Sequence, residues 1–425
     1  MNSRERVIAA INHREPDRCP VDLAATAQTG MNASTLYRLR AALGLSLDPI
    51  RIVEPAQMLG DPGEDLLKLV GSDVVGLWNR GNFYGYRNEN WKPWMMSDAT
   101  PVMMGGGFEY DVDASGRTWV YPEGDRSARH SAVMPAGGSF FDSVDHAEPF
   151  DMDDADEADL TPREDFKGDF SVASEEDARY WEKESRRLYE ETEYAVVGLL
   201  GGAGLGDVAC LPGPHVKEPR GIRRMDDWLA AHLLFPAYVD EVFALQTEVM
   251  LKNLEIYRQA VGERIQVVWI SGTDFGTQHA TFIGPDVFRR LYKPHYKKIN
   301  DWVHQNTGWK TFYHSCGAVY PLMQDFVEMG VDILNPLQLS ADGMDPVKIK
   351  AEFGDRLAFW GGGVDTQRTL PFGTPDEVRR EVLERIGILN RGGGYVFNPI
   401  HNVVANVPPE NLIAMYQAVR NYGIK

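Results

Sequence analysis

Eight short apolar runs, most of them followed by a helix-like stretch, constrain the fold of this chain more than any other feature. They are CPVDL (19–23), DVVGLW (73–78), AVVGLLGG (195–202), QVVWIS (266–271), TFYHSC (311–316), DILNPLQ (332–338), LAFWGGG (357–363) and YVFNPI (395–400). From the third run onward, helical patterning fills 238–261, 285–305, 319–329, 346–353, 375–389 and 408–421, with prolines at several of the starts. Continuous apolar strands alternating with helices predict a parallel sheet covered on its outer face. Eight of them predict an α/β fold of the (β/α)8 TIM barrel type.

A doubly wound sheet is the alternative, and AVVGLLGGAGLGD superficially favours it. Its glycines, Gly201, Gly202, Gly204 and Gly206, miss the G-x-G-x-x-G spacing that seats a pyrophosphate on a helix N-terminus, so the stretch reads as a glycine-rich turn. The chain is therefore expected to be one barrel domain over 1–425. Residues 79–180, between the second and third runs, form an insertion at the barrel mouth. This segment begins aromatic (RGNFYGYRNENWKPWMM), continues through GFEYDVDASGRTWVYPEG, a hairpin turning at Ser115 and Gly116, and ends acidic. Twelve acids against Arg163 and Lys167 give 142–169 a net −10 of the chain's −19, and this stretch is the best candidate for mobility.

Such acidity argues against nucleic acid or anionic lipid as partners, since both attractions need clustered Lys and Arg. The three cysteines, Cys19, Cys210 and Cys316, make no disulfide framework and suit a reducing compartment. No segment reaches the roughly 18–20 apolar residues of a membrane span. A cytoplasmic location is expected.

In a (β/α)8 barrel the reacting groups gather at the carboxyl ends of the strands. Those ends carry Asp22, Asn79, Gly201, Asp274, His314, Cys316, Asn335, Gln338, Asp365, Gln367 and His401. Residues i and i+2 of a strand share a face, so HSC places the imidazole of His314 and the thiol of Cys316 together. Zinc accepts both ligand types, and a catalytic zinc takes three protein ligands with one open position. His401 is the first choice for the third and Asp274 the second. The bland alternative is a hydrogen-bonded barrel histidine beside a small buried cysteine. A Cys–His nucleophile lacks an evident oxyanion device. Asp274, with Gln278, is an acid, a substrate anchor or a turn cap, and Asp365 divides in the same way. Trp78, Phe83, Tyr84, Tyr86, Trp91 and Trp94 either wall a pocket for a flat ring or pack the insertion onto the barrel.

The segments RERVIAAINHREPDRCPVDL, SGTDFGTQHATFIGPDVFRRLYKPHYKKI, YHSCG, GVDILNPLQ, FGDRLAFWGGGVDTQ and GGGYVFNPIHNVVANVPPENLIAM, in that order, resemble the uroporphyrinogen decarboxylase superfamily. Within it they look most like the corrinoid-dependent methyltransferase branch. True decarboxylases of this kind carry an arginine-rich motif after the first strand to hold the carboxylates of a porphyrinogen. Here that stretch reads AATAQTGMNASTLYRLR, with no arginine before Arg38. In the methyltransferase branch the resemblance implies that H-x-C and a distant cysteine bind zinc. His314 and Cys316 match the motif, and His401 occupies the place of the distant cysteine. Cys210 is a less attractive substitute.

The resemblance implies a zinc-dependent methyltransferase that moves a methyl group between a small donor or acceptor and the cobalt of a corrinoid. None of the ten histidines follows an aspartate at i−2, so the D-x-H-x-x-G corrinoid motif is absent and the corrinoid must come from a partner protein. Asp274 and His401 are the expected catalytic residues. Trp78, Asn79, Gln278, Asn335, Gln338 and Asp365 are expected to hold substrate, with a methoxylated aromatic favoured; a homodimer is left open. The competing expectations are a metal-free decarboxylase of a smaller acid and a non-catalytic binding module.

Overall fold

The computed structural model describes residues 1–152 and 154–422. Asp153, counted in the acidic stretch, lies outside the described residues. Seven of the eight apolar runs are strands: β1 (Val74–Leu77), β2 (Ala195–Gly198), β3 (Val267–Ser271), β4 (Lys310–His314), β5 (Ile333–Asn335), β6 (Ala358–Trp360) and β7 (Tyr395–Val396). They pair in parallel in strict chain order to give one curled sheet.

The expected first strand differs. Residues 19–23 lie between the two edges of the sheet, but they contribute an isolated parallel bridge, Val21 to Phe397, and no ladder. The N–H of Phe397 donates to Pro20 O at 2.8 Å and that of Asp22 to Phe397 O at 2.9 Å, while the N–H of Asp73 donates to Val21 O at 2.7 Å. Two local features keep the run short: Pro20 has no N–H to give, and the chain turns at Ala24, where φ is +64°.

Alternation sorts the side chains. Val74, Ala195, Val197, Leu199, Val267, Phe312, Ile333, Ala358, Trp360 and Val396 pack inside the ring as one apolar cluster, separate from the larger core under the helices. The helices follow the sequence closely. Pro346–Phe353 and Pro375–Leu389 coincide with the predicted spans, and Pro236–Val261 and Pro409–Asn421 differ by one or two residues. The stretch expected as one helix over 285–305 instead passes through a π-helical turn at Phe288–Tyr292. The glycine-rich turn after β2 is a turn, with positive φ at Gly201, Gly202 and Gly206.

At the base of the ring, Asp73 is fully buried beneath two guanidiniums. Its Oδ1 accepts from Arg6 Nη1 at 2.6 Å and Arg18 Nη2 at 2.8 Å, and its Oδ2 from Arg18 Nη1 at 2.7 Å and the Val21 N–H at 2.9 Å.

Between β1 and β2 lie two four-stranded sheets. One joins Ile50–Glu54 and Leu59–Gly60 to Lys92–Met95 and Pro101–Met104, so it draws on chain before β1 as well as after it. The other is an antiparallel meander over Tyr110–Val112, Thr118–Val120, Ala132–Met134 and Asp142–Ser143. Its first turn is the predicted hairpin, where the Asp113 carboxylate accepts from the Ser115 and Arg117 N–H groups and Gly116 has φ +81°. The acidic stretch is tied down: Asp169 pairs with buried Arg223 at 2.7 Å, Asp165 accepts from Tyr238 at 3.0 Å, and Glu157 caps the helix that begins at Pro236. Among the described residues no single helix is long and apolar enough to cross a membrane.

Candidate metal centre

The inward-facing side of β4 continues upward from Phe312 to His314, and the next residue of that face is Cys316. The thiol Sγ lies 3.3 Å from His314 Nε2. His401, five residues beyond β7, brings its imidazole to the same point, with ring centroids 5.4 Å apart at 66°. The ligating atoms of His314, Cys316 and His401 all lie within 4.8 Å of one another.

Asn335, at the end of β5, orients the pair. Its Nδ2 donates to the Trp360 carbonyl at 2.7 Å, which can only accept, so its Oδ1 is the atom 2.6 Å from His314 Nδ1. Nδ1 therefore carries the proton and Nε2 presents its lone pair towards Cys316 and His401. A tetrahedral zinc separates its nitrogen and sulfur ligands by about 3.3–3.6 Å, given Zn–N of about 2.0–2.1 Å and Zn–S of about 2.3 Å. Two imidazoles and a thiol within 4.8 Å, one of them already oriented from behind, fit that ion.

Asp274 stands beside the triad. Its Oδ1 accepts from the Cys316 N–H at 2.7 Å and lies 3.4 Å from His314 Nε2. Burial opposes its charge, but the hydrogen bond and charge that the His314 ring offers when Nε2 is also protonated, with the Cys316 N–H, hold the carboxyl below its ordinary range. His401 is pushed down to about 4 by burial and by neighbouring His314, so it is a neutral imidazole at neutral pH. Burial, reinforced by Asp274, raises the Cys316 thiol well above its usual value. A bound cation reverses that preference, because a coordinated thiol loses its proton.

The other expected site residues are arranged around this centre as braces. Gln338 accepts from the Gly317 N–H at 2.8 Å and donates to Gln278 Oε1 at 3.0 Å, and Gln278 donates in turn to Ser340 O. Asn79 donates to Leu199 O at 2.6 Å and accepts from Trp181 Nε1 at 3.0 Å. Asp365 caps the turn at Gln367 and Arg368. Trp78 is half-buried on top of the inner apolar cluster, as is Trp269. Tyr84 and Tyr86 are buried in the core, and Trp94 packs on Phe108 and Tyr110, the packing role. Cys210 is exposed in the loop after β2 and is not part of the triad.

The sequence reading missed Asp207, in that same loop. Burial pushes its carboxyl up to about 7; the Ala209 N–H, at 2.9 Å, works against this, and the charge of Asp274 adds to it. Its place in a glycine-rich turn, judged only as a nucleotide motif, hid it. Asp22, counted among the strand ends, is instead inside the ring, accepting from Trp360 Nε1 at 2.8 Å, and burial raises it to about 6. The first guanidiniums after the first run are occupied: Arg38 donates to Ala405 O and Thr35, and Arg40 pairs with Asp65 at 2.7 Å.

A parallel α/β ring with a His–Cys–His cluster at its carboxyl-end mouth is thus the class of protein that fold and site define. Residues 216–422 match the model of the uroporphyrinogen decarboxylase (URO-D) family, and this stretch contains all three cluster residues. The chain is 35% identical over 81 residues to the uroporphyrinogen decarboxylase of Pelodictyon phaeoclathratiforme, covering 18% of this chain and 22% of that one. Against the enzyme of the same name from Chlorobium chlorochromatii it is 24% identical over 152 residues, covering 34% and 40%. The matches thus span well under half the length of these curated relatives. Among solved structures, a methyltransferase from Methanosarcina mazei shares the fold over 99% of both chains, with a TM-score of 0.55 and 16% identity.

Proposed function

We propose that the protein is a zinc-dependent methyltransferase that passes the methyl group of a small methoxylated aromatic to the cobalt of a corrinoid carried by a separate protein. The observation that carries this reading is the convergence of His314, Cys316 and His401 within 4.8 Å at the barrel mouth. Support also comes from the methyltransferase name of the structural neighbour and from the engagement of Arg38 and Arg40, the first two guanidiniums after the first run, with other groups of the chain. The chain acts as one barrel over 1–425 with 79–180 as a mouth insertion. The reaction is intracellular, with the corrinoid protein as partner.

Zinc held by the three side chains would supply Lewis acidity at the oxygen that leaves the methyl carbon. The protein's own groups do the rest. Asp274, kept ionised, anchors the Cys316 backbone and the substrate side of the cluster; Asp207, raised by burial to about 7, is the proton donor to the leaving oxygen in its protonated form. Trp78 faces the substrate, Asn335 acts through His314, and Asn79, Gln278, Gln338 and Asp365 hold the loops that shape the mouth.

The direct test is spectroscopic: reduced corrinoid protein mixed with this protein and 2-methoxyphenol should be methylated and release catechol. No methylation with any methoxyarene would sink the reading. The names of the curated relatives favour a second one, decarboxylation without metal; fully active protein lacking zinc would select it.

The acid role has its own signature. With a carboxyl near 7, activity should fall as pH rises through neutrality, because the proton is lost before it can be delivered. Asp207→Asn should lower kcat/KM by about 10²-fold and flatten the profile between about pH 6 and 8. A parent profile with no alkaline limb would remove Asp207 from the mechanism.

A further inference from the structure

The register of the first three strands places two indoles at one level inside the ring. Gly198 of β2 pairs with Leu77 of β1 and with Val268 of β3, so the next residue, Leu199, lies between Trp78 and Trp269. Leu199 is buried in the inner cluster, and both tryptophans are half-buried and pack against it. Trp360, on the same interior face, is by contrast fully buried. Two large apolar surfaces left partly open above a dry core are a binding floor more readily than packing.

The backbones of two glycines lie close beside the Trp269 ring, where a side chain would crowd it. A Cβ on Gly201 would stand 3.3 Å from Trp269 Cζ3, and one on Gly272 would stand 2.9 Å from Cζ2. The position a Gly272 Cβ would take is also 3.3 Å from Gln28 Nε2, so the Gln28 carboxamide borders the same ring, and its Oε1 has no hydrogen-bond partner among the described residues. Height relates the floor to the metal cluster. Trp269 pairs with Phe312 of β4, so His314 is two residues further up the wall, a rise of about 6.6 Å. A ring lying on Trp269 would sit below His314 and Cys316 on the same inner wall.

We propose that Trp78 and Trp269 form a stacking floor for a flat, uncharged aromatic ligand, with the Gln28 carboxamide at its rim. The inference rests on the methyltransferase reading only for the choice of ring substituents. Offset stacking on an indole selects a planar ring over an aliphatic methyl donor of similar size. Gln28, with an unused acceptor, selects a ring bearing a hydroxyl beside the reacting group.

The test is calorimetric titration of zinc-loaded protein with 2-methoxyphenol, with 1,2-dimethoxybenzene and with the aliphatic 2-methoxyethanol, in the absence of any corrinoid protein. The expected order is 2-methoxyphenol, then dimethoxybenzene, then methoxyethanol at least tenfold weaker than either ring. Trp269→Leu should weaken ring binding at least tenfold while zinc content is retained. If that variant does not fold, Gly272→Ala, which crowds Cζ2, should weaken the same binding. Gln28→Leu should erase the preference for the phenol over the diether. Equal affinity for rings and methoxyethanol, or unchanged ring affinity in the floor variants, would overturn the proposal. Failure of the floor with methyl transfer intact leaves the reaction standing. Ring binding on Trp269 without methyl transfer does the reverse.

Discussion

Protein carrying Cys316→Ala, purified without nickel resin, should fall from near one zinc per chain to almost none and lose methyl transfer by at least about 10³-fold. The expectation follows from the size of the ligand set. The cluster has three donors, and its only sulfur already sits 3.3 Å from His314 Nε2, so removing the thiol leaves two imidazoles. Two neutral imidazoles at the mouth of a barrel hold zinc weakly compared with a thiolate set. His401→Ala should behave similarly. Asn335→Leu should be milder, weakening zinc by about 10- to 100-fold, because it removes only the acceptor that fixes the His314 tautomer from 2.6 Å behind. This grading separates a metal centre from a hydrogen-bonded histidine beside a buried cysteine, for which none of the variants would change metal content. Inductively coupled plasma measurement of zinc per chain, set beside the methylation rate, reads both effects. Metal-free parent protein with full activity would dispose of the zinc mechanism.

The second large effect is on stability. Asp73→Ala should destabilise the fold by about 3 kcal/mol, because Arg18, 28% exposed, would lose its carboxylate and buried Arg6 would keep only the Asp17 carboxylate, at 2.7 Å. The side chain of Asp73 is 0% exposed and that of Arg6 is 8% exposed, so water is a poor substitute partner for either. The same carboxylate accepts the Val21 N–H, so the change also loosens the closure of the ring. Burial shields this cluster from ions, and the loss should persist at high salt, unlike that of a surface pair. Denaturant unfolding of parent and variant measures it; a difference under about 1 kcal/mol would show that the guanidiniums find other partners.

Periodicity carried the architecture and part of the site. Continuous apolar runs between helical stretches identified seven strands and their order, and the i, i+2 rule put His314 and Cys316 on one face before any coordinates. The first run departed because a strand needs donors on both sides, and Pro20 with the turn at Ala24 leaves only Val21 and Asp22 extended. Asn79, Gln338 and Asp365 are legible as polar strand ends, and Gln278 as a companion of Asp274. That their hydrogen bonds go to neighbouring loops depends on partners tens of residues away, information that no local pattern contains. The same holds for Asp73 under Arg6 and Arg18, and for Asp207, whose proton affinity comes from its surroundings.

The seam at Val21 and Phe397 has a consequence for how the molecule is made. Its partners are 376 residues apart, and the neighbouring contacts of Asp22 with Asn398 and of Gly30 with Asn402 are nearly as distant. Residues 19–30 must therefore wait through the synthesis of nearly the whole chain before their partners emerge, exposing Val21 and Leu23 to mispairing meanwhile. His401 belongs to the same late segment, flanked by the seam residues Asn398 and Asn402. On the proposed zinc reading, metal retention reports ring closure: nascent or truncated chains stopped before residue 401 lack the third ligand, and a finished molecule is thereby distinguished from one still open.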